Sequence, residues 1–261
     1  MYKRKVIAVV LTLIMTLALL PSCGGSVTQE DIEVVEDALI VDKDTGDYTA
    51  VVIARNNGTA TAREVDMEGT ALDKDGNVIP SMSDAEGTIC LMPYFGTLAP
   101  GEQGVWFEST IPFGEGATIY GIYQDIPASI EWKVTETPRA KIKGSAGVEI
   151  TGVEAGEAYT DSSGLLTTDY SITLQNNGKI DYKPGSGDRM PDTKYGQAWI
   201  RIVCLYRDAN GNIDGASELT PDSGEDLSLA PGESKTTKWT NVGQYYPDIE
   251  PELYINVTFT E

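Results

Sequence analysis

Five consecutive residues, Leu-Ala-Pro-Gly-Glu, occur twice in this chain, at Leu98 to Glu102 and at Leu229 to Glu233. Three further landmarks repeat in the same order. A β-rich run enters Asn-Asn-Gly at Tyr48 to Gly58 and again at Tyr170 to Gly178; Asp-Lys-Asp-Gly-Asn at Asp73 to Asn77 matches Asp-Ala-Asn-Gly-Asn at Asp208 to Asn212; and Ile130 to Thr135 matches Leu253 to Thr258. Order is kept while the connecting lengths vary. The chain therefore reads as two copies of one module, and each landmark must mean the same thing twice.

Between the landmarks the apolar pattern has a period of two, as half-buried strands require. Val65, Met67, Gly69 and Ala71 alternate with Asp66, Glu68 and Thr70, and the matching inward set is Ile200, Ile202, Cys204 and Tyr206. In the last strand of each copy Ile130, Trp132 and Val134 correspond to Leu253, Ile255 and Val257. Asn-Gly, Asp-Gly and Pro-Gly pairs supply tight turns. Thr28 to Ile40 has helical spacing at Ile32, Val35 and Leu39, but its β-branched content and its counterpart in the second copy favour a strand from about Glu33. Strands punctuated this way predict two tandem antiparallel β-sandwiches, residues 32–138 and 148–261, joined by a Pro, Gly and Ser-bearing linker at 139–147.

The N-terminus reads as a targeting signal. Lys3, Arg4 and Lys5 precede an uncharged run from Val6 to Leu20, which as a helix spans roughly 22 Å, short of the ~30 Å hydrocarbon core. Leu20, Pro21, Ser22 and Cys23 follow, and this quartet resembles the lipobox of bacterial lipoproteins. The resemblance implies a signal peptide at 1–22, diacylglyceryl attachment at Cys23, a tether over 23–31 and an extracytoplasmic body held to the cell membrane, or to the outer membrane of a Gram-negative cell, by its acyl chains. Removing residues 1–22 takes away three basic residues and no acidic one, which lowers the net charge from −21 to −24. Such a body is repelled by nucleic acid and by anionic headgroups, so the acyl chains must hold it at the membrane.

The repeated landmarks themselves resemble the immunoglobulin-like modules of bacterial surface lipoproteins, in style the FxLYD module. Leu205 and Tyr206 stand before Asp208 with Arg207 inserted, and Leu72 and Asp73 are kept in the first copy. That family implies binding or spacing at a cell surface and no particular chemistry.

Composition removes several activities. The chain has no histidine, so Ser-His-Asp and Cys-His systems and the commonest zinc ligand are absent. With Cys23 assigned to lipid, Cys90 and Cys204 remain, one per copy, and both read as buried free thiols. Asp42 to Asp47 and Asp208 to Asp214 space oxygen ligands as calcium loops do, but both lack the glycine and the bidentate acid an EF-hand needs, and read as plain turns. No cofactor or metal is expected, and no carboxylate pair stands out for hydrolysis, so a non-enzyme is expected.

What remains is contact surface. An insertion at 179–196 in the second copy is locally basic and carries Tyr182, Lys183, Arg189, Met190, Lys194 and Tyr195, the first candidates for binding a glycan or protein ligand. Weaker candidates are Tyr94, Phe95, Tyr120, Tyr123, Tyr245 and Tyr246, which could stack on sugar rings. The expectation is a lipid-anchored binding or spacing protein, with a carbohydrate-binding module and a structural stalk or envelope-assembly subunit as alternatives.

Overall fold

In the computed structural model the residues described are 27–41, 48–79, 91, 93–111, 127–137, 147–179, 181–182, 198–242 and 250–259. The fold is all-β and its strands pair antiparallel. In the first copy β1 (Ile32–Val41), β2 (Tyr48–Asn56) and β5 (Gln103–Ile111) form one sheet in the order β1-β2-β5, while β3 (Val65–Leu72), β4 (Tyr94–Phe95) and β6 (Ser129–Glu136) form a second in the order β4-β3-β6. In the second copy β7 (Val148–Ala155), β9 (Leu166–Asn176) and β12 (Ser234–Val242) repeat the first sheet, and β10 (Ala198–Arg207) with β13 (Glu252–Phe259) repeats the second. The short β8 (Tyr159–Thr160) also pairs with β9. Strand β11 (Ile213–Pro221) runs along β10 and then, at Thr220 and Pro221, crosses to β12, joining the two sheets at a corner.

The repeat extends to one irregularity. Strand β1 pairs regularly with β2 up to Val34 and then slips by one residue, and β7 slips against β9 at the equivalent place, after Ile150. A bulge of this kind reverses which face later residues present. Ile32 and Val34 therefore point into the first core before the bulge and Leu39 after it, while Ala38 and Ile40 turn outward. This parity change is what gave the segment its helical spacing in the sequence; the strand begins at Ile32.

The doubled Leu-Ala-Pro-Gly-Glu has a structural explanation, because it locks onto the doubled Asn-Asn-Gly. The buried Asn56 amide donates to the carbonyls of Ala60 and Leu98, each at 2.9 Å, and its oxygen accepts from Gly58 N–H at 2.9 Å. Asn176 donates likewise to Leu229 and accepts from Gly178. Gly101 and Gly232, at φ of 82° and 81°, turn their N–H groups onto the carbonyls of Asn56 and Asn176. Glu102 and Glu233 close the turns by accepting from the N–H of Ala99 and Ala230, both at 2.7 Å. Two loops distant in sequence thus satisfy each other's buried polar groups.

Each copy holds a core between its sheets, with Tyr48, Val52, Met67 and Phe95 in the first and Tyr170, Ile172, Tyr206 and Trp239 in the second. A third core lies between the copies. Val51, Ile53, Val105 and Phe107 on the outer face of β2 and β5 pack against Val203, Leu205, Ile213 and Ala216 on β10 and β11. Strand β10 is therefore buried on both faces, where the alternating pattern predicts one. Full burial of side chains of this size stabilises by roughly 1.5–3 kcal/mol each, so the joint is strong. The described strands form a stack of four sheet layers.

The outer faces of the stack are the equivalents of the joint with their polarity reversed. Val51, Ile53, Val105 and Phe107 correspond by register to Ser171, Thr173, Thr236 and Lys238, while Val203 and Leu205 correspond to Glu68 and Thr70. One face of each copy is apolar and covered; its counterpart on the other copy is polar and faces solvent.

Candidate contact surface

Of the contact residues proposed from sequence, Tyr94, Phe95 and Tyr182 fall within the described residues. Tyr182 is fully buried, its backbone paired with Leu229 and its ring in the second core, and burial pushes its phenol far above the usual range. It anchors the start of the insertion instead of offering contact surface; a tyrosine at the mouth of a loop serves as readily for packing as for binding. Phe95 is likewise buried in the first core, and Tyr94 is half-buried beside it. Cys23, Cys90, Tyr120, Tyr123, Lys183, Arg189, Met190, Lys194, Tyr195, Tyr245 and Tyr246 lie outside the described residues, as does the turn at Asp42 to Asp47.

The acidic turns use their carboxylates internally. Asp208 Oδ1 accepts from the N–H of Asn210 and Asn212, and Oδ2 accepts from the Asn212 side chain, which holds its carboxyl down to about 2. Asp73 Oδ1 likewise accepts from the N–H of Asp75 and Asn77, with the Asn77 side chain on Oδ2, and Asp161 Oδ1 accepts from the N–H of Ser163 and Leu165. Oxygen atoms aimed at their own backbone make an Asx turn, not a ligand set. Among the described residues no group of three acidic or cysteine side chains converges on a common point.

The Glu102 carboxyl is strongly displaced. Burial pushes it up to about 7 and the nearby charge of Glu149 adds to this, although the Ala99 N–H pulls the other way. Its equivalent Glu233 makes the same turn bond, so the position serves the turn in both copies. The Cys204 thiol is buried among Ser217 and Tyr206 and pushed up to about 12, which leaves it protonated and unreactive near neutrality.

The two copies differ most at the seam where the first and last strands lie side by side. In the first copy the seam is closed. Trp132 Nε1 donates to Asp37 Oδ2 at 3.0 Å across it, Trp132 packs edge-on against Trp106, and the Gln29 side chain donates to the Thr135 carbonyl on β6 at 2.7 Å. Trp132 fits only because Gly69 stands opposite: a Cβ there would lie 2.5 Å from the indole ring. In the second copy Asp37 is replaced by Val153, Gly69 by Cys204, and Trp132, by register, by Leu253. Val153 stands opposite the buried Ile172 on the core face of the sheet, yet 45% of it is exposed. Ile150, Leu253 and Ile255 beside it are only partly covered. The register also places the last strand two residues away from the alignment its sequence suggests, which preserves the inward face.

No family model matches the chain, and no curated protein matches it. Among solved structures, the exo-chitosanase of Amycolatopsis orientalis in complex with PNP-β-D-glucosamine is similar at 16% identity and a TM-score of 0.19, over 86% of this chain and 26% of that one. The chain thus spans about a quarter of the length of that enzyme.

Proposed function

We propose that the protein is a non-catalytic, lipid-anchored extracytoplasmic body whose task is to bind a partner at the cell surface. The observation that carries binding over spacing is the third core. Sheets stacked face to face add about 10 Å per layer, whereas a further module placed end to end adds a strand length of about 30 Å. A stalk gains its reach from end-to-end modules with covered edges. Here the two copies are stacked, the joint is buried, and a partly open apolar seam is kept in one copy while its equivalent is sealed in the other. Anchoring rests on Leu20 to Cys23, and the acidic body makes the lipid, not the protein surface, the membrane contact.

The test has two arms. Growth with an alkyne-tagged fatty acid should label the protein in the membrane fraction and should fail to label Cys23→Ala. A thermal-shift screen against calcium, cell-wall fragments, glycans and short peptides should find a stabilising class, since a ligand at 100 times its Kd adds about 2.7 kcal/mol. Labelling without any shift would move the assignment to a structural subunit; no labelling would remove the anchor.

A further inference from the structure

Resting on that reading, we infer that the β7–β13 seam of the second copy is a strand-addition site, which takes an extended apolar segment with basic flanks from a partner protein. Among the described residues strand β13 ends its sheet, and the one backbone bond it receives outside its ladder with β10 is Thr97 N–H to the Val257 carbonyl, at 2.9 Å. A terminal strand of this kind offers a row of backbone donors and acceptors, and an added strand is selected by pockets for alternate side chains. Val153, Leu253 and Ile255 supply the apolar floor for those side chains.

The first copy is an internal control. Its equivalent edge is bridged by Trp132 and Asp37 and capped by Gln29. The second copy has neither the bridging tryptophan nor the carboxylate nor the glycine that makes room for the indole. A seam that differs from its counterpart at three facing positions, while the turn locks and the bulge are the same, points to use of the seam. Its charge selects the occupant. Glu154 and Glu157 follow Val153 on one side, and on the other Glu250 precedes β13 and Glu252 opens it, all exposed, with Glu252 shared with Arg207. A second copy of this chain would bring its own excess of acid to this rim, so the occupant is a different protein carrying Lys or Arg beside alternating apolar residues.

The probe is a pair of labelled peptides, Lys-Val-Thr-Val-Thr-Val-Lys and its counterpart with Glu at both ends, titrated into the full chain in detergent and followed by anisotropy. The basic peptide should bind about tenfold or more tighter than the acidic one. Amide exchange should slow at Leu253 and Ile255, and Val153→Asp should abolish binding. Glu154→Lys with Glu157→Lys, on exposed positions that do not threaten folding, should reverse the preference between the peptides. Equal binding of both peptides, binding without protection on β13, or concentration-dependent self-association removed by Val153→Asp would each overturn the proposal. Loss of lipid labelling would instead strike the anchoring and leave the seam untouched.

Discussion

Asn256 grips Val105 twice, donating from Nδ2 to its carbonyl at 2.5 Å and accepting its N–H through Oδ1 at 3.1 Å. The two residues belong to different copies, and both are buried in the joint. An amide that satisfies both backbone groups of one residue on an edge strand acts as a strand partner compressed into a side chain. Arg207 adds a peripheral bond, paired with Glu36 of the first copy through both terminal nitrogens at 2.7 and 2.8 Å and with Glu252 of its own copy.

Asn256→Ala should therefore leave two buried backbone groups unpaired, and each such group costs ~1–3 kcal/mol. The urea midpoint should fall and the scattering radius should rise before global unfolding, as the copies part. Arg207→Ala, at the half-exposed rim, should cost less than Asn256→Ala and its effect should shrink in high salt. Equal midpoints for Asn256→Ala and the parent protein would mean that the third core alone sets the joint.

The turn locks make a symmetrical prediction. Asn56→Ala and Asn176→Ala should destabilise by similar amounts, about 2 kcal/mol or more, because each removes a buried amide that bonds a distant Leu carbonyl and takes away the acceptor of the Gly58 or Gly178 N–H. Pro100→Ala and Pro231→Ala should cost much less, since the lock uses the neighbouring glycine N–H and glutamate. Denaturation of the four variants by urea checks this directly, and a small effect at either Asn would break the claim that the repeated pentapeptide exists to meet Asn-Asn-Gly.

Glu102 predicts a pH dependence. Its carboxyl holds a proton up to about 7 in the folded protein against about 4.5 for an ordinary glutamate. A raised native value means that the stability it contributes is fully present below about 4.5 and is lost as the pH rises through about 7. Glu102→Gln keeps the acceptor for Ala99 and removes the ionisation. The variant should match the parent at pH 4 and be more stable at pH 8, read as the difference in urea midpoint. A constant difference across that range would show that Glu102 ionises normally.

The sequence made legible what depends on local pattern. The repeat, the inward set Val65, Met67, Gly69 and Ala71, the core placement of Cys204 and the glycine turns all follow from period and turn chemistry. What stayed hidden depends on partners. Val203 and Leu205 look like ordinary interruptions of an alternating strand until Val51 and Phe107 are known to cover them. The bulges after Val34 and Ile150 shift parity through hydrogen bonding, and in the sequence the shift after Val34 shows only as a spacing that resembles a helix. Tyr182 looks like loop surface in the sequence because the burial of a residue near the start of a loop is decided by the far side of the core, here Leu229.

The reversed polarity of equivalent faces yields the strongest test of the architecture. A face on one copy that fits a different face on the next is a heterologous contact, and repeated without limit it builds an open filament. In this chain the series stops at two because Ser171, Thr173, Thr236 and Lys238 end one side of the stack while Glu68 and Thr70 end the other. Restoring Val, Ile, Val and Phe at the first four positions, together with Glu68→Val and Thr70→Leu, should give each molecule both halves of the joint on its outside. Sedimentation should then show growth without a fixed stoichiometry, and electron microscopy should show filaments of stacked sheets. Either set of changes alone exposes one half of the joint with no complement and should stop at small aggregates or dimers. A combined variant that stays monomeric at high concentration would show that the polar faces do not limit the stack, and that linker geometry does.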